Sequence, residues 1–127
     1  MRAARRDTAR YREAERRGRL AELLCRWHLR LRGWRVLARD WRCPVGEIDI
    51  VARRGRTIAV IEVKLRRDTD TAAASLGPRQ RRRIARATEA FLVTRPELAA
   101  LSVRFDVMLV GKRRLPYHLP GAWRSDE

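Results

Sequence analysis

The chain has 127 residues, is 45% hydrophobic and 36% charged, and carries a formal net charge of +16. That length suits one domain with a core of its own, because a chain of this size buries roughly two thirds of its unfolded surface. No apolar run reaches the ~20 residues of a membrane span, and the N-terminal arginines have no apolar stretch behind them. Neither an anchor nor a secretory leader is expected, and the expected compartment is the cytoplasm.

Residues 1–17 carry seven arginines and little apolar content, and read as a basic N-terminal arm. Residues 18–32 read as an amphipathic helix, with Leu20, Leu24, Trp27 and Leu31 at the 3/4 spacing of one face. Gly33 stands where a glycine would end it. A first strand is expected from Trp34 to Arg42, broken by Cys43-Pro44-Val45-Gly46. Residues 47–53 and 57–65 are rich in Ile and Val and form a predicted hairpin about Arg54-Gly55. Asp68 to Pro78 reads as a loop, and Arg79 to Thr94 as a second helix whose apolar side holds Ile84, Ala87 and Phe91. Val103 to Val110 is the last predicted strand, and residues 112–127, with Pro116 and Pro120, read as an irregular tail. The expected fold is therefore α/β, in the order α-β-β-β-α-β, with a four-stranded mixed sheet flanked by helices across 18–111.

The 31 bases against 15 acids favour a polyanionic partner. Nucleic acid is the expected one, with no membrane partner. Arg79, Arg81, Arg82, Arg83 and Arg86 crowd the start of the second helix. Its dipole gives positive charge no help there, so phosphate contacts are expected from them. Cys25 and Cys43 have no zinc-like spacing and read as free thiols. Trp27, Trp34 and Trp41 are expected in packing, Trp123 as an anchor for the tail, and His28 and His118 as surface or packing residues. Asp106 is expected to support the end of the sheet.

The informative oddity is Lys64, since only it and Lys112 among the 31 bases are lysine. Arginine is a planar, permanently charged fork, whereas lysine is a compact point charge. A two-residue turn at Arg54-Gly55 sets Glu47 opposite Glu62 and Asp49 diagonal to Glu62. Glu47, Asp49, Val51, Val60, Glu62 and Lys64 then share one face, and Ile48, Ile50, Ala52, Ala59, Ile61 and Val63 the other. The first face could be the wet side of a one-sided hairpin. Two features point instead to a site. Val51 and Val60 call for cover on that face, and facing acids need a proton, a cation or a base to hold them, which a divalent metal with Lys64 beside it would supply. Two carboxylates can share a hard cation such as Mg²⁺ or Mn²⁺, and a lysine beside them can orient a water or stabilise charge on phosphorus.

The segments GEIDIVARRGRTIAVIEVKLR (46–66), RQRRRIARATEAFL (79–92) and RFDVMLV (104–110) resemble the PD-(D/E)XK nuclease superfamily. The likeness is to its Holliday-junction-resolvase branch and most closely to the YraN-type family of inferred endonucleases, and it runs from about Gly18 to Trp123. It implies a restriction-endonuclease-like core and DNA phosphodiester hydrolysis, with branched or damaged DNA among the expected substrates. The alternative it leaves is a non-catalytic nucleic-acid-binding module on the same fold. It implies Asp49, Glu62 and the Val63 carbonyl as metal ligands and Lys64 as the catalytic lysine. Glu22 on the first helix would reach toward the site. Gln80 would contact phosphate or a metal-bound water. Resolvase relatives act as dimers, which makes a homodimer one possible state.

Overall fold

The computed structural model describes residues 2–65, 76–111 and 115–125. Its elements are α1 (Arg2–Leu31), β1 (Arg35–Cys43), β2 (Gly46–Arg54), β3 (Thr57–Leu65), α2 (Pro78–Thr94), a short 3₁₀ turn (Pro96–Leu98), β4 (Ser102–Val110) and β5 (Tyr117–Trp123). The expected loop from Asp68 lies outside the described residues as far as position 75. Among the described residues, no helix is long and apolar enough to cross a membrane.

The five strands form one mixed sheet in the order β1-β2-β3-β4-β5. Pairing is antiparallel except between β3 and β4. A parallel pair cannot close through a tight turn and needs a crossover, which α2 supplies. The sheet was expected to have four strands; the fifth is built from the tail, which was read as irregular because of its prolines. Pro120 is tolerated because β5 lies at the sheet edge, where one side of the backbone needs no partner. Trp123 fixes the strand by stacking on Phe105, with centroids 4.1 Å apart.

Helices cover both faces. Ala21, Cys25 and Leu29 of α1 pack with Ile50, Ala52, Ala59, Ile61 and Met108. Ile84, Ala87 and Phe91 of α2 pack with Val51, Ile58, Val60, Val107 and Leu109. α1 ends where expected: Gly33 has φ +85°, a left-handed conformation, and Trp34 N–H reaches the carbonyl of Leu29 at 3.0 Å. Its start lies much earlier than expected, since the basic arm is helical from Arg2 and runs straight into the predicted helix.

The apolar face assigned to that helix is corrected as well. Leu20, Leu24, Trp27 and Leu31 are exposed, and the residues against the sheet are the smaller Ala21, Cys25 and Leu29. Close approach to a sheet suits small side chains, and the 3/4 spacing of Ala21, Cys25 and Leu29 fits a helix equally well. Trp34 is buried and Trp41 packs edge-on to Phe91, as expected, but Trp27 is not in packing. Cys25 is a buried free thiol, pushed up to about 12 by burial and by the charges of Glu22 and Asp49.

Asp106 is fully buried and supports the sheet edge more firmly than expected. Arg104 donates to it twice, at 2.9 Å each, the Gly121 N–H donates at 2.8 Å, and His118 Nε2 lies at 2.7 Å. His118 is thus a hydrogen-bonding partner of Asp106, not a simple packing residue. These bonds tie β5 to β4.

Candidate active site

The β2–β3 hairpin turns at Gly55-Arg56, with Arg54 paired to Thr57, so its register is two residues from the expected one. A shift of two preserves which residues share a face. Val51 and Val60 do lie against α2, and Ile50, Ala52, Ala59 and Ile61 against α1. Ile48 is the exception and joins the α2-side core. The shift changes the partners: the extended register sets Asp49, not Glu47, opposite Glu62. Glu47 is exposed and pairs across β1 with Arg42, at 3.4 Å. The expected facing of Glu47 and Glu62 does not occur.

The ladder between β2 and β3 ends at Ile50–Ile61. Beyond it, Asp49 Oδ2 accepts a hydrogen bond from the Val63 N–H at 2.8 Å, so a side chain takes over where a backbone carbonyl would have stood. On the other side of Asp49 lie Glu22 from α1 and Asp40 from β1. One carboxylate oxygen from each of these three acids lies within 4.8 Å of the other two. The β1–β2 register, with Arg39 on Ile50 and Trp41 on Ile48, sets Asp40 directly opposite Asp49. Asp40 has φ +46°, a conformation aspartate tolerates better than most residues. It was not foreseen. The available signal was that it is the only acid in the first strand.

Glu62 continues the acidic line. Gln80, in the first turn of α2, donates through Nε2 to Glu62 Oε1 at 3.1 Å and accepts from Lys64 Nζ through Oε1 at 3.4 Å. Lys64 Nζ also stands 4.0 Å from Glu62 Oε1. Gln80 therefore links the lysine to the acid. Its approach depends on Gly46, where a Cβ would lie 2.5 Å from the carbonyl oxygen of Arg83, so β2 and α2 meet backbone to backbone.

The electrostatics of the line are unbalanced. Burial, then a hydrogen bond with Asp40 and the charge of Asp49, pushes Glu22 up to about 8. Burial, then the charge of Asp49, pushes Glu62 up to about 8 against the pull of Lys64. Asp49 is raised by burial despite the Val63 N–H bond. Among the described residues, Lys64 stands beside Glu62, Arg26 is buried on α1 near Glu22 and Asp40, and Arg79 and Arg83 border the cavity that Glu62 lines. Glu22, Asp49 and Glu62 are thus raised by burial and by neighbouring acids, which favours protons that a divalent cation could replace.

Glu47, Glu62, Gly77, Arg79, Gln80, Arg83 and Ile84 line a cavity of about 410 Å³. Of the five arginines expected to meet phosphate, Arg79 and Arg83 border this cavity. Arg82 and Arg86 are exposed and Arg81 is half-buried. The expected site residues Asp49, Glu62, Lys64, Glu22 and Gln80 thus come together between the two helices, and Val63 enters through its amide.

Residues 21–110 match the family model described as uncharacterised protein family UPF0102. The chain is 51% identical over 117 residues to a UPF0102 protein of Paramagnetospirillum magneticum, covering 89% of this chain and 91% of the relative. It is 52% identical over 111 residues to one of Parvibaculum lavamentivorans, covering 87% and 84%. A Rhodopseudomonas palustris relative is 53% identical over 95 residues, covering 75% of this chain and 72% of its own. With a family model matching most of its length and about half of the aligned residues identical to such relatives, the chain belongs to the UPF0102, or YraN, family.

Proposed function

We propose that the protein is a metal-dependent endonuclease that hydrolyses DNA phosphodiesters, on a restriction-endonuclease-like core. The observation that carries this reading is the meeting of Asp49, Glu62, Lys64 and Gln80 at the point where β2 and β3 part. A wet hairpin face gives no reason for acids raised by burial beside a lysine held by a glutamine.

The donor set fits a hard divalent cation, because it is all oxygen and its acids lie close enough to repel one another when ionised. Asp49, Glu62 and the Val63 carbonyl would hold Mg²⁺ or Mn²⁺, with Glu22 and Asp40 beside Asp49. Such an ion supplies Lewis-acid activation of the phosphate and a more acidic water. Lys64 places a positive point charge where charge builds on the phosphoryl oxygens. Gln80 aims that ammonium and fixes one oxygen of Glu62. Arg79, Arg82, Arg83 and Arg86 hold the phosphate backbone without reading bases. The net charge of +16 around this acidic pocket favours nucleic acid as the polyanion.

The test is cleavage of single-stranded, duplex, flapped and four-way DNA with Mg²⁺ or Mn²⁺. Cutting that disappears in Lys64→Ala while DNA binding persists supports the reading. Binding without cutting by the wild type on all four substrates favours a nucleic-acid-binding module instead.

A further inference from the structure

The strongest unexplained feature outside the site is the outward side of α1. Leu20 and Trp27 are each 56% exposed, Leu31 is 79% exposed, and Leu23 and Leu24 are 39% exposed. At 3.6 residues per turn these five form a band roughly 100° wide, opposite Cys25 and the sheet. α1 is therefore apolar on two sides. Its inner side is covered by Ile50, Ile61 and Met108. The outer band is bordered by exposed arginines: Arg16, Arg17 and Arg19 at its N-terminal end, Arg30 and Arg32 at its C-terminal end. Glu22 is the acid along this stretch, and it turns toward Asp40 and Asp49.

Against the expectation from the sequence of no membrane partner, we propose that this face docks the protein on the surface of an anionic phospholipid bilayer. The occupant has to accept both the apolar band and the arginines that frame it. A second copy would cover the leucines but would set these arginines against their equivalents. The band from Leu20 to Leu31 is also only about 17 Å long, short for the roughly 800 Å² per partner of a stable interface. Nucleic acid would satisfy the arginines and leave the leucines in water. An anionic bilayer takes both. The leucines and Trp27 enter the boundary between headgroups and acyl chains, and the arginines extend to the lipid phosphates. The docked helix lies in the plane of the surface. The cavity beside α2, on the other face of the sheet, stays open to water. This inference does not depend on cleavage at the acidic site.

The experiment is sedimentation of the full chain with phosphatidylcholine vesicles, with and without one third phosphatidylglycerol, at physiological salt. The wild type is expected to bind the anionic vesicles and not the neutral ones. Leu24→Ser with Leu31→Ser is expected to lower that affinity at least about tenfold while leaving duplex DNA binding unchanged. Brominated acyl chains are expected to quench the wild type, and Trp27→Phe is expected to remove most of that quenching. This second readout stands even if the double variant fails to fold. Equal vesicle binding by a folded double variant, or quenching unaltered in Trp27→Phe, overturns the proposal in favour of simple adsorption by arginine. So does an absence of wild-type binding. A vesicle-free dimer that the double variant abolishes overturns it in favour of a second copy.

Discussion

Asp49 accepts the Val63 N–H at 2.8 Å at the point where the β2–β3 ladder has just ended. One residue thereby replaces a lost strand bond and turns a carboxylate toward Glu22, Asp40 and Glu62. The acidic site exists because the two strands part there. Substitution of its members separates chemistry from folding.

Lys64→Ala is expected to lower the cleavage rate by at least about 10²-fold, as removal of a group aimed at developing charge does. Asp49→Asn keeps the hydrogen-bonding shape and is expected to cost at least as much. Gel-based cleavage rates beside DNA affinities check both. Cutting that survives both changes contradicts the proposed site.

Without metal, the acids make stability pH-dependent. Glu22 and Glu62 rise from 4.5 to about 8 in the folded chain. Between those values the folded state holds protons that the unfolded chain has released, so stability falls as pH climbs from about 4.5 toward 8. Glu62→Gln is expected to flatten that decline in urea titrations at several pH values. Mn²⁺ needs the deprotonated acids, so its affinity is expected to rise with pH up to about 8 and to release protons on binding. Calorimetry in buffers of different ionisation enthalpy measures this, and a pH-independent affinity contradicts it.

Gly46→Ala forces a methyl group against the Arg83 carbonyl oxygen. The expected cost is about 1–3 kcal/mol, typical of overpacking. Because α2 must shift, Gln80 loses its hold on Glu62 and Lys64. Denaturant melts and cleavage rates should therefore fall together.

Arg82→Ala with Arg83→Ala is expected to weaken binding to all duplexes alike and to reduce the log–log salt slope by about 2, one counterion for each lost phosphate contact. Fluorescence anisotropy across a salt series reads this. An unchanged slope removes these arginines from the interface.

Asp106→Asn is expected to destabilise the chain by about 1–3 kcal/mol, because the buried position loses its charge-assisted bonds from the partly exposed Arg104. Burial works against the charge of Asp106, but bonds from His118, Arg104 and Gly121 outweigh it and hold its pKa below 3.8. The stabilisation is therefore present at neutral pH and is lost as pH falls below about 3.8 toward the depressed value. Thermal melts of the two forms at pH 7 and in acid test this.

Local pattern made much of this legible. Ile and Val runs broken by Arg54-Gly55 located the hairpin, and the period of two assigned Val51 and Val60 to one face and Ile50 and Ile61 to the other. That assignment survived a register error because the error was an even number of residues. The scarcity of lysine singled out Lys64. Asp49, Glu62, Gln80 and Glu22 followed from spacing and resemblance.

Other features depended on neighbours distant in sequence. Asp40 joined the site through β1–β2 pairing and a left-handed backbone that composition does not encode. The tail became β5 because the free edge of β4 offered hydrogen bonds and Phe105 offered a surface for Trp123, which outweighed its prolines. On α1, Ala21-Cys25-Leu29 and Leu20-Leu24-Trp27-Leu31 have equally good helical spacing. The sequence determined that the helix has two apolar sides. Only the tertiary structure decided which one the sheet covers, because a close-packed helix–sheet contact selects side chains by size and shape as well as by hydrophobicity.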